Sequence, residues 1–151
     1  MSVIVTGSPM PLFERLSAGA NAPSAQLLQG EPLRQSVARE LARLLNTRSR
    51  LTAAQFLESD GTVLDYGVPD FSFRSFQSVP DCDAIAALVA HAIAMFEPRL
   101  RQARVRFAER DTPRPVLVID GELPLGAAPV RVAFELAAAG QAADPRWGDH
   151  G

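Results

Sequence analysis

The chain has no lysine and a single cysteine among its 151 residues. With Cys82 alone, an intramolecular disulfide and any multi-cysteine metal site are excluded. No apolar run approaches the ~20 residues that a bilayer span needs. The opening MSVIVTGSPMP lacks the charged and long apolar regions of a signal peptide, so a soluble, cytosolic protein is expected. Charge of one sign is not in excess: 15 arginines meet 17 carboxylates, for a formal net charge of −2. That balance argues against a disordered acidic tail and against a general nucleic-acid binder. The all-arginine basic set fits either planar, bidentate recognition of carboxylates or an arginine-biased, alanine-rich coding composition.

What is present is apolar bulk. Hydrophobic residues make up 47% of the 16.2 kDa chain. A chain of this size buries roughly 68–70% of its unfolded surface and folds as one domain without staples. Residues 1–30 carry islands of Pro, Gly, Ser and Asn around Leu12–Leu16, which reads as a mobile N-terminal arm with a short helical segment. Residues 31–137 read as the folded domain, and 138–151 as a loose tail. Within the domain, Pro32 stands where a first helical turn tolerates proline. Leu33, Val37, Leu41, Leu44 and Leu45 follow at helical spacing, which predicts a helix of about 14 residues ending near Asn46. Arg39 and Arg43 fall on its opposite face.

Residues 51–80 are punctuated by Gly61, Gly67, Pro69 and Pro80 and read as connecting structure. From Glu58 to Asp83 this stretch holds six carboxylates and one arginine. A second helix is expected after Pro80, with Asp81 or Asp83 as its N-cap. Its apolar face is Ile85, Leu88, Val89, Ala92, Ile93 and Phe96, and Pro98 stops it. Beyond this point the period changes from 3.6 to 2. Val105 and Phe107 alternate with arginines; Leu117, Ile119, Gly121 and Leu123 form a second series; Val130, Val132, Phe134 and Leu136 a third. Asp120-Gly121 has hairpin-turn chemistry, but the alternation keeps its phase through it. The turn therefore belongs at Gly126–Pro129, and the class is α+β, two amphipathic helices on a small antiparallel meander.

Chemistry-bearing residues are sparse. His150 lies in the tail, and His91 falls about 130° from the centre of its helix's apolar face, which predicts a solvated side chain. Cys82 and His91 are more than two turns apart on one helix and cannot form a nucleophilic pair. No metal-ligand spacing, phosphate-cradling loop or nucleophile elbow is present, so no metal or cofactor is expected. Arg99, Arg101, Arg104, Arg106, Arg110 and Arg114 form a basic cluster without interleaved aromatics, a weak nucleic-acid signal. The one enzymatic arrangement to weigh is Glu97 as a general acid with Asp65 or Asp70 as partner. Arg99 and Arg101 lie close along the chain to Glu97, and positive charge lowers a carboxyl pKa, which favours an ion pair instead.

Four segments occur in a telling order: SVARELARLLNTR at 36–48, TVLDYGVPDF at 62–71, FEPRL at 96–100 and LVIDGEL at 117–123. Together with PLFERL at 11–16, they make the chain resemble the TssE family of type VI secretion baseplate subunits, which belongs to the phage lysozyme-like baseplate wedge proteins. The chain departs from the family pattern at Arg43 and Pro124, where aromatics are common, and in its alanine-rich ending. The resemblance implies a non-enzymatic structural part of a contractile injection machine at the cytoplasmic face of the inner membrane. The partners it implies are TssF and TssG in the wedge, the TssB/TssC sheath, reached by strand addition, and TssK. No cofactor, nucleic acid or direct membrane insertion is implied. The family's Glu-Pro-Arg signature corresponds to Glu97, Pro98 and Arg99, a stiff corner expected either to brace the first strand against the helix or, the favoured use, to grip a partner. Arg39 and Arg43 are expected to add a basic partner-facing surface. The rival reading is a small peptidoglycan hydrolase that uses Glu97.

Overall fold

The computed structural model describes residues 8–9, 16, 27–28, 30–108, 115–125 and 127–137. The expected arm and tail therefore lie almost wholly outside the described residues. Within the arm, Ser8–Pro9 (β1) and Leu27–Leu28 (β2) pair antiparallel, a contact that the sequence pattern does not announce.

Helix α1 runs Gly30–Asn46 and buries Leu33, Val37, Leu41 and Leu44 of the apolar series expected of it, while Leu45 is half-buried at its edge. It also buries Ser36 and Glu40 on that same side. Residues 51–80 hold more structure than their punctuation suggests. Helix α2, Ala53–Glu58, starts at a reciprocal capping box in which Thr52 and Gln55 satisfy each other's backbone N–H groups. Its Phe56 is fully buried, and the Phe56 ring meets His91 edge-on at 5.4 Å. His91 is thus half-buried, not solvated, because an element absent from the sequence reading covers it.

Helix α3, Val79–Phe96, begins earlier than expected. Ser78 is the N-cap, Pro80 sits in the first turn, and the Asp81 carboxylate turns back to Arg74 (3.2 Å) and to the Ser75 N–H. By length and composition α3 is apolar enough to cross a membrane. Its alanines explain this, since they fill the positions between the core residues Ile85, Leu88, Val89, Ala92 and Ile93.

Strands β3 (Arg101–Phe107), β4 (Val116–Leu123) and β5 (Val130–Ala137) form an antiparallel sheet in that order. β4 runs unbroken through Asp120-Gly121, as its phase requires, and pairs residue for residue with β5 from Val116↔Ala137 to Leu123↔Val130. The β3–β4 pairing shifts register between Arg101 and Arg104, where Gln102 adopts φ 52°. α3 packs along β3. Ile119, Leu123, Phe134 and Leu136 join the helices' apolar faces in one core. Each such side chain contributes roughly 1.5–3 kcal/mol by leaving water.

Two glycines set close approaches. A Cβ on Gly121 would stand 2.5 Å from Leu100 Cδ1, so the bare backbone there seats Leu100 against the sheet. Gly67 has φ +116°, and a Cβ there would stand 2.6 Å from the Thr47 carbonyl oxygen. That contact lets Val68 bridge to Arg48 at the end of α1.

Candidate functional site

Three of the four segments singled out in the sequence meet in one buried polar corner. α1 presents Ser36 and Glu40 one helical turn apart, so both face the end of α3 instead of solvent. The chain leaves α3 at Glu97, whose N–H still donates to the Ile93 carbonyl (2.8 Å). Pro98 then stands in a turn closed by Leu100 N–H donating to the Glu97 carbonyl (3.2 Å). That turn folds Arg99 back onto Glu97. Arg99 Nε donates to Glu97 Oε1 (2.7 Å) and Nη2 to Oε2 (2.6 Å), while Nη1 reaches Ser36 Oγ on α1 (2.8 Å). The Arg99 backbone N–H donates to the same carboxylate. Glu97 is 1% exposed and the Arg99 side chain 11%.

The neighbouring half of the corner is built around Glu40. Tyr66 donates its hydroxyl to Glu40 Oε1 (2.6 Å), and Arg43 Nη1 donates to Oε2 (2.7 Å). Burial, the hydrogen bond to Glu40 and the negative charges of Glu40 and Glu97 push the Tyr66 phenol well above its ordinary range. The Tyr66 ring lies edge-on to Phe96 at 5.2 Å. The fourth segment contributes Gly121, against which Leu100 of the corner packs.

This arrangement corrects two expectations. Glu97 and Arg99 do not project from the corner. They are buried against α1, where the pair braces the α3–β3 turn to Ser36. Of the two uses weighed for the pair, gripping a partner needs exposed side chains, and nothing local in the sequence shows that the Ser36–Glu40 face of α1 covers them. Arg43 is half-buried and ion-paired to Glu40, so it belongs to the corner, while Arg39 lies exposed on the outer side of α1. Ser36, Glu40 and Tyr66 were missed. The signal was available for the first two, since positions 36 and 40 fall within the stripe formed by 33, 37, 41 and 44.

The corner does not suit acid–base chemistry. Both Glu97 oxygens accept from Arg99 and the residue is 1% exposed, so neither oxygen is presented to a substrate. Asp65 accepts from Thr62 and Ser59, and Asp70 from Ser72. These hydrogen bonds, the Thr62 hydroxyl first for Asp65 and the Ser72 N–H first for Asp70, hold both carboxyls below their ordinary range. Among the described residues no hydrogen bond joins either aspartate to Glu97, and no group of three or more metal-ligating side chains occurs. A trough of about 500 Å³ on the sheet is lined by Arg34, Arg104, Asp120, Glu122 and Arg131. Its carboxylates face arginines, Asp120 at 3.6 Å from Arg106 and Glu122 at 3.9 Å from Arg131.

The sheet offers a different capability. Among the described residues β5 pairs only with β4, so its other edge carries unpaired backbone groups over eight residues. The β3 edge is interrupted by the bulge at Gln102.

No curated protein matches the chain. The family model described as baseplate wedge protein gp25 matches residues 31–124, from the first turn of α1 to the residue after β4. The matched span holds the whole braced corner and all four sequence segments, and the chain belongs to the baseplate wedge protein gp25 family, which includes the TssE subunits.

Proposed function

We propose that this protein is the wedge subunit of a type VI secretion baseplate that joins TssF and TssG to the base of the TssB/TssC sheath, with TssK as a further neighbour. It acts without catalysis at the cytoplasmic face of the inner membrane. Family membership supports a structural baseplate role. The observation that carries the sheath connection is the β5 edge, in full register with β4 and unpaired on its outer side among the described residues. An extended segment from a sheath subunit would add there as a fourth strand, gaining affinity from main-chain hydrogen bonds. The buried corner supports this role indirectly. It fixes the α3–β3 turn to α1 and so holds the sheet at a set angle to the helices. Arg39, exposed on α1, would contribute to the surface that faces the wedge partners.

Amide hydrogen exchange of the chain, alone and with purified TssB/TssC, tests the reading. Slowed exchange concentrated in residues 130–137 is expected. Protection confined to other elements, or none at all, would contradict strand addition at β5.

A further inference from the structure

The loop between α2 and Tyr66 holds large aliphatic side chains out in water. Val63 is 90% exposed and Leu64 75%, with Leu57 at 50% on the last turn of α2. These side chains are not on a slack segment. Asp65 accepts from the Thr62 N–H (3.1 Å), the Thr62 hydroxyl (2.8 Å) and the Ser59 hydroxyl (3.3 Å). Gly61 N–H donates to Ser59 Oγ, and Asp65 N–H to the Thr62 carbonyl. On either side, buried Phe56 and the Tyr66–Glu40 hydrogen bond tie the loop to the core. Val63 and Leu64 therefore cannot turn inward without breaking this set of bonds. Clustered exposed aliphatics on a fixed loop are the anchors of an interface, not unsettled core.

The charge around them narrows the partner. Glu58 and Asp60 are exposed beside the aliphatics, and the ionised Asp65 lies at the base of the loop with Arg50 as its nearby cation. Among the described residues the loop thus carries three carboxylates, with Arg50 as the cation near Asp65. A second copy of the same loop, a nucleic acid or an anionic lipid surface would each meet like charge there. A cationic polypeptide with apolar residues of its own satisfies both features.

We propose that residues 57–65 are a docking surface for a short, basic, amphipathic segment of another baseplate subunit, with Val63 and Leu64 as apolar anchors and Glu58 and Asp60 selecting its charge. The baseplate identity of that subunit rests on the function proposed above; the chemistry of the segment does not.

The test places a photoreactive residue at Leu64 of the full chain in cells, with the same residue at exposed Ala87 on α3 as control, and sequences the cross-linked peptide. The expected product arises at 64 and not at 87. It maps to a segment of net positive charge with interspersed apolar residues. Glu58→Arg with Asp60→Arg lowers its yield about tenfold or more while the melting temperature holds, and Val63→Ser weakens it as well. A product on an acidic or uncharged segment, on lipid, on a second copy or on the chain's own arm would overturn the proposal. So would a yield no higher than at Ala87, or one unchanged by charge reversal. A basic segment from a protein outside any baseplate would keep the docking surface and remove the baseplate reading.

Discussion

Replacing Arg99 with alanine removes both hydrogen bonds from its side chain to the Glu97 carboxylate and the bond to Ser36. Glu97, 1% exposed, would be left as a buried carboxylate without its ion-pair partner. Breaking one side of a buried, hydrogen-bonded ion pair costs about 3–5 kcal/mol, well above the ~0–1 kcal/mol of a surface pair. For a chain of this length each kcal/mol moves the melting temperature by about 2–4 °C, so Arg99→Ala should melt about 6–20 °C below the parent. A second variant separates lost charge balance from lost packing. Glu97→Gln combined with Arg99→Met removes both charges of the pair and should recover much of the deficit. Circular dichroism melts of the parent, the single variant and the double variant give the comparison. An Arg99→Ala protein melting within about 2 °C of the parent would refute the braced corner, because that is the behaviour of a solvated pair.

Three further outcomes follow from the same geometry. Tyr66 is the only tyrosine, so its titration can be followed directly by ultraviolet absorbance near 295 nm. The native protein should show no tyrosinate through the ordinary range around 10, and a normal transition there would remove the Glu40 hydrogen bond. Because the folded value is raised, the stability Tyr66 contributes is complete below about pH 10 and is lost as pH climbs through the folded value, so alkaline denaturation should begin above about pH 10. Gly67→Ala should destabilise strongly, since the new methyl meets the Thr47 carbonyl at a positive φ, and an unchanged melt would contradict the approach of residue 68 to the end of α1. Phe134→Ala should cost about 3–5 kcal/mol, and a near-parental melt would show that the phase of β5 is wrong.

The parts of the fold that repeat were legible in the sequence. α1 and α3 declared themselves through several turns of apolar spacing, and the β4 phase carried straight through Asp120-Gly121 despite the hairpin chemistry of that pair. α2 did not, because six residues present one buried position, Phe56, and no period forms from one residue. Its Thr-x-x-Gln capping box was the available signal. The His91 environment went unread for the same reason, since its cover is Phe56. The corner was half legible. Glu97, Pro98 and Arg99 stood out, but the covering of Glu97 and Arg99 depends on Ser36, 63 residues from Arg99 along the chain, and Tyr66 meets Glu40 across 26 residues. Pairings of that range leave no local pattern. Only the polar residues at 36 and 40, set within an apolar stripe, hinted that α1 had a polar partner.

The measurement closest to the central claim is imaging of fluorescent sheath subunits in cells that lack this protein, then in the same cells supplied with the parent chain or with Arg99→Ala. No sheaths are expected without the protein, and restored sheaths with the parent. With Arg99→Ala, assembly should fail in step with the loss of folded protein. Normal sheaths in cells lacking the protein would contradict its role as the wedge subunit from which the sheath is built.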